Sequence, residues 1–239
     1  VYDDLGRVTQ VTHPNNTTTT QAVYGLESRT TNALNQVSKT FSNGFGETAK
    51  TEDALGNTVE FTYDAFGNLL TSTTTADGKT SVVEAIYDLW GRKVKTIDPI
   101  KGTWSYTYNA FGELYTQKTA RLQQFTFTYD ELGRKIRSYN ATEGTLCWNY
   151  ASTEGLALYA VGKLTSTAKY AGSNVACGSG SNTASITKSF RYDSKGRSEV
   201  VVTRIDSVDY YQTQSYDNYS RPLLTTYPEG ESSFAVRNV

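Results

Sequence analysis

The sequence contains one histidine, His13, and two cysteines, Cys147 and Cys177, in 239 residues. A His/Cys metal site needs three or four ligands at close spacing, and neither cysteine belongs to a CxxC pair. His13 lies beside Pro14 in a turn-forming stretch, so we interpret it as a solvated turn residue rather than a catalytic one. The sequence therefore predicts no metal ion, no cofactor and no catalytic residue.

The two cysteines are separated by 30 residues and leave two interpretations open. They can form a disulfide, or Cys147 can be a buried thiol in a strand while Cys177 is a free thiol in a loop. Export of the protein to an oxidising compartment would favour the disulfide.

The sequence also lacks charge excess and long apolar runs. A net charge of −1 and a pI near 6.0 give no electrostatic footprint for nucleic acid or an anionic membrane surface. No apolar run approaches the ~20 residues of a membrane span, and no signal peptide is visible in this segment. These absences predict that neither nucleic acid nor a membrane span is involved.

Methionine is absent. The first residues, from Tyr2 to Arg7, already form a complete copy of the motif described below. We therefore expect the chain to be a segment of a larger polypeptide.

One short motif recurs along the chain and organises it. Four clear copies begin at Tyr63, Tyr87, Tyr108 and Tyr129, each reading Tyr, Asp or Asn, two residues, Gly. Their glycines are separated by 24, 21 and 21 residues, which is the length of one supersecondary unit. The full set of motif residues is Tyr2, Asp3, Gly6, Tyr63, Asp64, Gly67, Tyr87, Asp88, Gly91, Tyr108, Asn109, Gly112, Tyr129, Asp130, Gly133, Tyr192, Asp193, Gly196, Tyr216 and Asp217.

Each copy has the chemistry of a β-hairpin. Before the motif, aromatic and apolar residues alternate with Thr, as in Val59, Phe61 and Tyr63, which is the pattern of a half-buried strand. The Asp or Asn side chain can bond nearby backbone N–H groups, and the glycine supplies the positive φ that closes the turn with a bulge. We expect the apolar residue inside the turn (Phe66, Trp90, Phe111 or Leu132) to fold back over the hairpin end.

This pattern of Tyr-Asp-x-apolar-Gly-Arg at intervals of about twenty residues resembles the YD repeat of the RHS family. That family includes RHS-type polymorphic toxins, shell components of insecticidal toxin complexes and teneurins. The connecting segments from Asp53 to Tyr63 and from Asp98 to Asn109 are also similar to the family's links between repeats. The resemblance implies an all-β fold in which hairpins form a strongly twisted antiparallel sheet, part of a spiralling hollow shell or cocoon.

We interpret residues 1–239 as one continuous YD-repeat segment with a single irregular part. Degenerate copies occupy residues 31–35 and 42–46, and Asp53–Gly56 looks like a copy without its Tyr. From 139 to 189 the period fails, and 171–185 has the composition of a loop. We read Leu146–Tyr150 and Gly162–Ser166 as strands within this irregular insertion.

Other apparent sites have simpler interpretations. Asp3, Asp88, Asp130 and Asp193 each precede an Arg by four residues and can form surface ion pairs across the turn. Asn68, Glu113 and Arg221 stand at or near the equivalent place, which indicates that this pairing is dispensable. Gly178-x-Gly180 lacks the strand, helix and Lys of a phosphate-binding loop. Asp98-Pro99 is similar to the aspartate-proline elements of RHS self-cleavage sites but lies inside the array, so no catalytic role is assigned.

Three functions are compatible with these features. The first, which we favour, is a non-catalytic shell segment that encloses a C-terminal toxin or effector of a secreted or injected bacterial RHS protein. Its partners would be further repeats and the enclosed domain of its own polypeptide. The alternative is an adhesion module whose exposed aromatics bind cell-surface carbohydrate or protein. An enzyme is the least favoured, because no nucleophile, base and orienting group come together.

Overall fold

The computed structural model describes residues 1–152, 158–178, 183–229 and 232–237. By its internal contacts the chain forms two compact units, residues 1–106 and 107–239, which are described in turn. Part of the sequence-predicted loop at 171–185, including Gly180, lies outside the described residues.

The first unit is an antiparallel β-meander in which each strand pairs with the next. Alternation of apolar or aromatic residues with Thr, as in β6 and β8, favours extended chain with one half-buried face. The strands are β1 Gln10–Thr12, β2 Thr18–Tyr24, β3 Glu27–Thr31, β4 Val37–Ser42, β5 Thr48–Glu52, β6 Thr58–Tyr63, β7 Leu69–Ala76, β8 Lys79–Tyr87, β9 Lys93–Asp98 and β10 Gly102–Tyr108, which ends in the second unit.

The second unit continues the same pattern, and β11 to β20 pair successively and antiparallel. A single 3₁₀ turn, Leu158–Ala160, is the one helical element among the described residues. The strands are β11 Leu114–Lys118, β12 Gln124–Tyr129, β13 Lys135–Asn140, β14 Gly144–Tyr150, β15 Leu164–Tyr170, β16 Ile186–Tyr192, β17 Ser198–Ile205, β18 Val208–Tyr216, β19 Pro222–Glu229 and β20 Ser232–Arg237.

The predicted all-β antiparallel fold is therefore confirmed. Among the described residues, no helix has the length and apolar character needed to cross a membrane.

In a meander, successive turns alternate between the two ends of the strands, and this separates the motif copies into two groups. We call the end of the strands that carries the Tyr-containing turns the motif edge, and the other end the opposite edge. The motif edge carries turns 3–7, 43–47, 64–68 and 88–92 in the first unit and 109–113, 130–134, 193–197 and 217–221 in the second. The opposite edge carries 32–36 and 53–57. The repeat is thus two strands, and the apparent copies at 31–35 and 53–56 are the connecting turns between motif copies.

Between 139 and 189 the strands stay paired although the motif spacing lengthens, with 29 residues from Gly133 to Gly162 and 34 from Gly162 to Gly196. Ala151 N–H donates to Lys163 O at 2.9 Å and Gly162 N–H donates to Ala151 O at 3.0 Å, the same two bonds that close the regular turns. After Tyr150, the residues Ala151, Gly162 and Lys163 therefore close a motif-edge turn as Asp64, Gly67 and Asn68 do, with ten residues between Ala151 and Gly162 in the sequence where a regular turn has two. Gly162 and Lys163 belong to this turn rather than to a strand, and β15 begins at Leu164.

The chain buries few side chains. Among the described residues, the buried ones are Asn140, Gly144, Thr145, Cys147, Ala160, Val175 and Thr225. The accessible surface is 16376 Å². A compact monomer of 26.4 kDa would expose about 10,600 Å². A sheet with helices or a second sheet packed on it would bury one whole face, so the excess indicates that the described residues leave sheet faces uncovered.

All of these buried residues lie in the second unit, and Thr145, Cys147 and Val175 lie where a loop covers one face of β13 and β14. Cys147 in β14 and Cys177 in this loop form a disulfide, so the first of the two interpretations left open by the sequence is correct. In the chain-entropy view, closing a loop of this length stabilises the folded state by about 3 to 4 kcal/mol.

Candidate functional site: the motif-edge turns

Each motif-edge turn is built around the side chain that follows the tyrosine. In turn 64–68, Asp64 Oδ1 accepts hydrogen bonds from the backbone N–H groups of Phe66 and Asn68, both at 2.9 Å. Asp64 Oδ2 accepts a third bond from Asn68 Nδ2 at 2.8 Å. Gly67 closes the turn with φ 83°, a conformation that other residues adopt only with strain. The predicted turn chemistry is therefore present in atomic detail.

The side chains of the first and last turn residues form what we call the clamp pair. Asp88 and Arg92 form one such pair, with Arg92 Nη2 and Asp88 Oδ2 2.7 Å apart. The corresponding Asp-to-Arg separations in the other Asp–Arg turns are 2.6 or 2.7 Å, for the pairs Asp3 and Arg7, Asp130 and Arg134, Asp193 and Arg197, and Asp217 and Arg221.

The Asp–Arg ion pair is dispensable, as expected, because turns without Arg still form, although Arg221 does pair with Asp217. The turns without Arg keep a different complementary pair at the same two positions. Asn68 replaces Arg as the donor to Asp64. In turn 109–113 the polarity is exchanged, since Asn109 Nδ2 donates to Glu113 Oε2 at 2.6 Å. The same exchange occurs between Asn43 and Glu47 at 2.7 Å. Each of these turns therefore conserves a donor opposite an acceptor while the residue types change.

The tyrosine of the motif connects its turn to the preceding one. Tyr87 Oη donates to the backbone oxygen of Leu69 at 3.0 Å, and Leu69 is the second residue after Gly67 of the preceding motif-edge turn. The same relation to the preceding positive-φ glycine holds for five further tyrosine bonds, which run from Tyr63 to Thr48, Tyr129 to Leu114, Tyr150 to Lys135, Tyr192 to Leu164 and Tyr216 to Ser198 at 2.8 to 3.2 Å. These bonds, which we call tyrosine tethers, tie consecutive turns together along the edge.

In the second unit a basic side chain adds a further connection between turns. Arg134 lies over the ring of Tyr150 at 4.4 Å, and its Nη1 donates to Gly162 O at 3.2 Å. Lys163 lies over the ring of Tyr192 at 4.9 Å and donates to Gly196 O. Arg197 lies over the ring of Tyr216 at 4.3 Å. Three such links therefore join four successive motif-edge turns, and each link comes from the residue that follows the turn glycine or its equivalent.

The apolar residues at the turn tips do not fold back as the sequence analysis expected. Phe66 is 92% exposed, Trp90 78% and Phe111 89%, and Leu132 is also exposed. The Asp or Asn side chain occupies the inside of the turn with its bonds to backbone N–H groups, so the apolar side chain points outward. Arg92 covers one side of the Trp90 ring at 4.9 Å.

The pKa shifts of the turn carboxylates and of a motif tyrosine fit a structural role better than a catalytic one. The Asn68 side-chain bond and then the backbone N–H groups hold the pKa of Asp64 below its usual value, and the Arg197 side chain does the same for the pKa of Asp193. Burial, and then the nearby charge of Glu113, raises the pKa of Tyr129. The carboxylates stay ionised as acceptors and the tyrosine stays protonated as a donor, so neither group is suited to exchange protons with a substrate.

The remaining candidates form no second site. His13 Nε2 lies 3.0 Å from Thr19 Oγ1 on an exposed surface. Asp98 Oδ1 accepts from the N–H groups of Ile100 and Lys101 at 2.8 Å and so forms an opposite-edge turn. Among the described residues, no three His, Cys, Asp or Glu side chains are grouped in a way that could hold a metal ion.

The sequence analysis missed the acceptors of the tyrosine tethers and the motif formed by Tyr150, Gly162 and Lys163. The acceptors are backbone oxygens, which no residue type identifies. The expanded turn carries a signal in Gly162-Lys163-Leu164, which matches the end of a regular motif, but eight more residues than in a regular turn separate it from Tyr150.

Comparisons with known proteins agree with this description. Residues 43–80 match the family model named RHS Repeat. No curated protein matches the sequence significantly. The structure is similar to the crystal structure of TcdB2-TccC3 without its hypervariable C-terminal region, with a TM-score of 0.62 and 13% identity over 99% of this chain. It is also similar to the Photorhabdus luminescens Tc holotoxin pore carrying a TccC3-D651A mutation, with a TM-score of 0.60 and 14% identity over 96% of this chain.

These likenesses concern the fold, and the chain spans only 14% and 15% of the length of those two chains. The segment at 43–80 includes β5 to β7 with the clamp pairs of Asn43 and Asp64, so the matched sequence and the repeating geometry coincide. The predicted resemblance is thus confirmed, and the chain carries an RHS repeat within a fold shared with the TcdB2-TccC3 and Tc holotoxin structures.

Proposed function

We propose that residues 1–239 form one continuous wall segment of an RHS-type shell and have no catalytic activity of their own. The shell would enclose another part of the same larger polypeptide, such as a C-terminal toxin or effector, in a secreted or injected bacterial protein. Its partners would be further repeats and the enclosed domain.

The observation that carries this proposal is the large accessible surface of 16376 Å² on a chain with few buried side chains. A globular enzyme or binding domain buries one face of its sheet in a core of its own. Here neighbouring strands are held instead by ladder hydrogen bonds, clamp pairs and tyrosine tethers, which strengthen the sheet in its own plane. A wall one sheet thick needs such in-plane bonds, because it has no core to hold its strands together.

Two similar structures support the proposal. The chain shares its fold with TcdB2-TccC3 and with the Tc holotoxin pore, at TM-scores of 0.62 and 0.60. The described turns add to this support, because their ionisable side chains are used as turn-formers. In the described turn 193–197, for example, both carboxylate oxygens of Asp193 accept hydrogen bonds.

The test uses the natural polypeptide that contains this segment. Intact mass and terminal sequencing would identify what accompanies the repeats, and limited proteolysis would then compare the native protein with a Gly144→Ala variant. A Cβ at Gly144 would lie 1.9 Å from Tyr170 O and so force the strands apart, whereas Gly162→Ala meets nothing within 4 Å and is the matched control. We expect the accompanying domain to resist protease in the native protein and the control, and to be cleaved in the Gly144→Ala variant. Equal cleavage in all three would contradict enclosure.

A second candidate function is adhesion to cell-surface carbohydrate or protein. The observation that favours it is the row of exposed turn-tip side chains, with Phe66 and Phe111 each about nine-tenths exposed. Aromatic faces of this kind can stack on sugar rings. The test is binding of the chain to a glycan panel. Binding that is lost in a Phe66→Ala, Trp90→Ala double variant with a preserved fold would favour the adhesion function rather than the shell-wall function.

A further inference from the structure

Within the part of the chain that the structure describes, buried side chains concentrate where residues 171–178 lie on the face of β13 and β14. Thr145 Oγ1 donates to Ser173 O at 2.8 Å and accepts from Val175 N–H at 3.2 Å. Val175 is 6% exposed and Thr145 1%. We call residues 171–178 the cover loop, because they shield this patch of the sheet from water.

Arg137 holds the cover loop from the neighbouring strand. Its Nε donates to Val175 O at 2.9 Å, and its Nη2 donates to Asn174 Oδ1. Arg137 is also the direct cross-strand partner of Cys147 in the pairing of β13 with β14. Directly opposed residues share one face of the sheet, with Cβ atoms about 5 Å apart. The guanidinium group therefore lies on the same face as the disulfide.

The two sulfur atoms of the disulfide differ in accessibility. Cys147 is 1% exposed, whereas Cys177 in the cover loop is only half-buried. Thiol–disulfide exchange needs in-line access of a thiolate to one sulfur, and it is faster when the departing thiolate is stabilised. Attack is open at Cys177, and the departing sulfur is then Cys147, whose thiolate would form beside the positive charge of Arg137.

We propose that the disulfide between Cys147 and Cys177 is a thiol–disulfide exchange site that takes dithiol reductants, and that its reduction releases the cover loop. A reductant thiolate attacks Cys177 Sγ, which forms a mixed disulfide and releases Cys147 as a thiolate that takes up a proton. The second thiol of the reductant then attacks the mixed disulfide and releases Cys177. The disulfide is reduced by two electrons, and the dithiol is oxidised to a disulfide.

The cover loop is expected to open after reduction because only hydrogen bonds then hold it on the sheet. The loop then keeps its hydrogen bonds to Thr145 and Arg137, and each protein hydrogen bond is largely replaced by one to water when the loop opens. The antiparallel ladder between β13 and β14 has four register pairs of its own and does not depend on the loop. Reduction should therefore open the loop while the strands stay paired, whatever larger role the sheet serves.

The experiment treats the folded chain with dithiothreitol without denaturant and follows two signals. Mass spectrometry after alkylation counts the free thiols, and amide hydrogen exchange measures protection of the cover loop and of β6 to β8. We expect two new thiols and at least about tenfold faster exchange at Val175, with β6 to β8 unchanged. A Cys147→Ser, Cys177→Ser double variant should show the fast exchange without reductant.

An Arg137→Lys variant separates the roles of the side chain and the disulfide. Lys keeps the charge but cannot make both bonds to the loop, so the loop should stay protected when oxidised and exchange faster than the wild type when reduced. Three outcomes would overturn the proposal: a disulfide that resists dithiothreitol until the chain is unfolded, a loop that stays protected after both thiols are free, or a loss of protection in β6 to β8 together with the loop.

Discussion

Asn109 donates a hydrogen bond from Nδ2 to Glu113 Oε2 at 2.6 Å, at the two positions where Asp130 and Arg134 form an ion pair in the next repeat. In both turns the Oδ1 atom accepts from two backbone N–H groups, so the side chain cannot rotate to exchange its outer atom. The residue four positions later must therefore match the outer atom, as an acceptor for Asn and a donor for Asp.

This relationship predicts the effect of exchanging the clamp pair. Asn109→Asp places two carboxylates together, and Glu113→Arg places a guanidinium against an amide N–H, so each single change should cost about 1 kcal/mol. The double variant restores an Asp–Arg pair and should return to within about 0.5 kcal/mol of the wild type. Hydrogen exchange of the Phe111 and Glu113 amides measures the opening free energy. Additive single effects in the double variant would show that the two side chains do not interact.

The tyrosine tether predicts a defined loss on removal of one hydroxyl group. Tyr129→Phe deletes the 2.9 Å bond to Leu114 O and leaves a partly buried carbonyl without this donor, so the free energy of unfolding should fall by about 1 kcal/mol. Tyr115→Phe is the control, because Tyr115 is 50% exposed. Urea denaturation of both variants makes the comparison, and equal stability would argue against the tether as a stabilising bond.

The glycines predict two different costs for the same substitution. Gly144 and Gly162 both have positive φ, at 87° and 76°, so Ala introduces similar backbone strain at each, about 1 kcal/mol. At Gly144 the new Cβ also meets Tyr170 O at 1.9 Å, whereas at Gly162 it meets nothing within 4 Å. Thermal denaturation should show Gly144→Ala as the more damaging by more than about 2 kcal/mol. A similar loss of stability in both variants would mean that backbone strain alone, and not the contact with Tyr170 O, sets the cost of the substitution.

Acid should open the turns that contain Asp before those that contain Asn. The side-chain bond from Asn68, followed by the backbone bonds, lowers the pKa of Asp64 from 3.8, so its stabilising effect is complete above that value and is lost as pH falls through the lowered pKa. Turn 32–36 has the same backbone bonds but uses Asn32 and Gln36, which do not titrate. Between about pH 5 and about pH 2, protection of the Phe66 and Asn68 amides should fall while that of Leu34 and Gln36 should not. Equal loss of amide protection in both turns would mean that acid destabilises the whole sheet and that protonation of Asp64 is not the cause.

The fold could be predicted because its determinants are local. Alternation in segments such as 58–63 specifies a strand, and Asp64 with Gly67 specifies the turn that follows, each within about six residues. The resemblance to RHS repeats used the same local motif, and the matched segment 43–80 contains two of its copies.

The candidate site could be predicted only in part. The Asp–Arg pairs are visible because their spacing of four is constant, but the equivalence of Asn109 with Glu113 depends on which atom points outward in the finished turn. The assignment of turns to the two edges was also hidden, because the turn chemistry at Asp53 and Asp64 is the same and the preceding Tyr is an incomplete marker, since Ser42 precedes the motif-edge turn at Asn43.

By itself, the sequence determined the strands, the turns and their period, since each depends on backbone preferences and side-chain bonds within a few residues. Tertiary structure alone decided which atoms meet across repeats: the oxygen of Leu114 under the hydroxyl of Tyr129, and the sulfur of Cys177 on that of Cys147. These contacts join residues 15 and 30 positions apart, so they exist only after strand pairing has fixed the register between neighbouring strands.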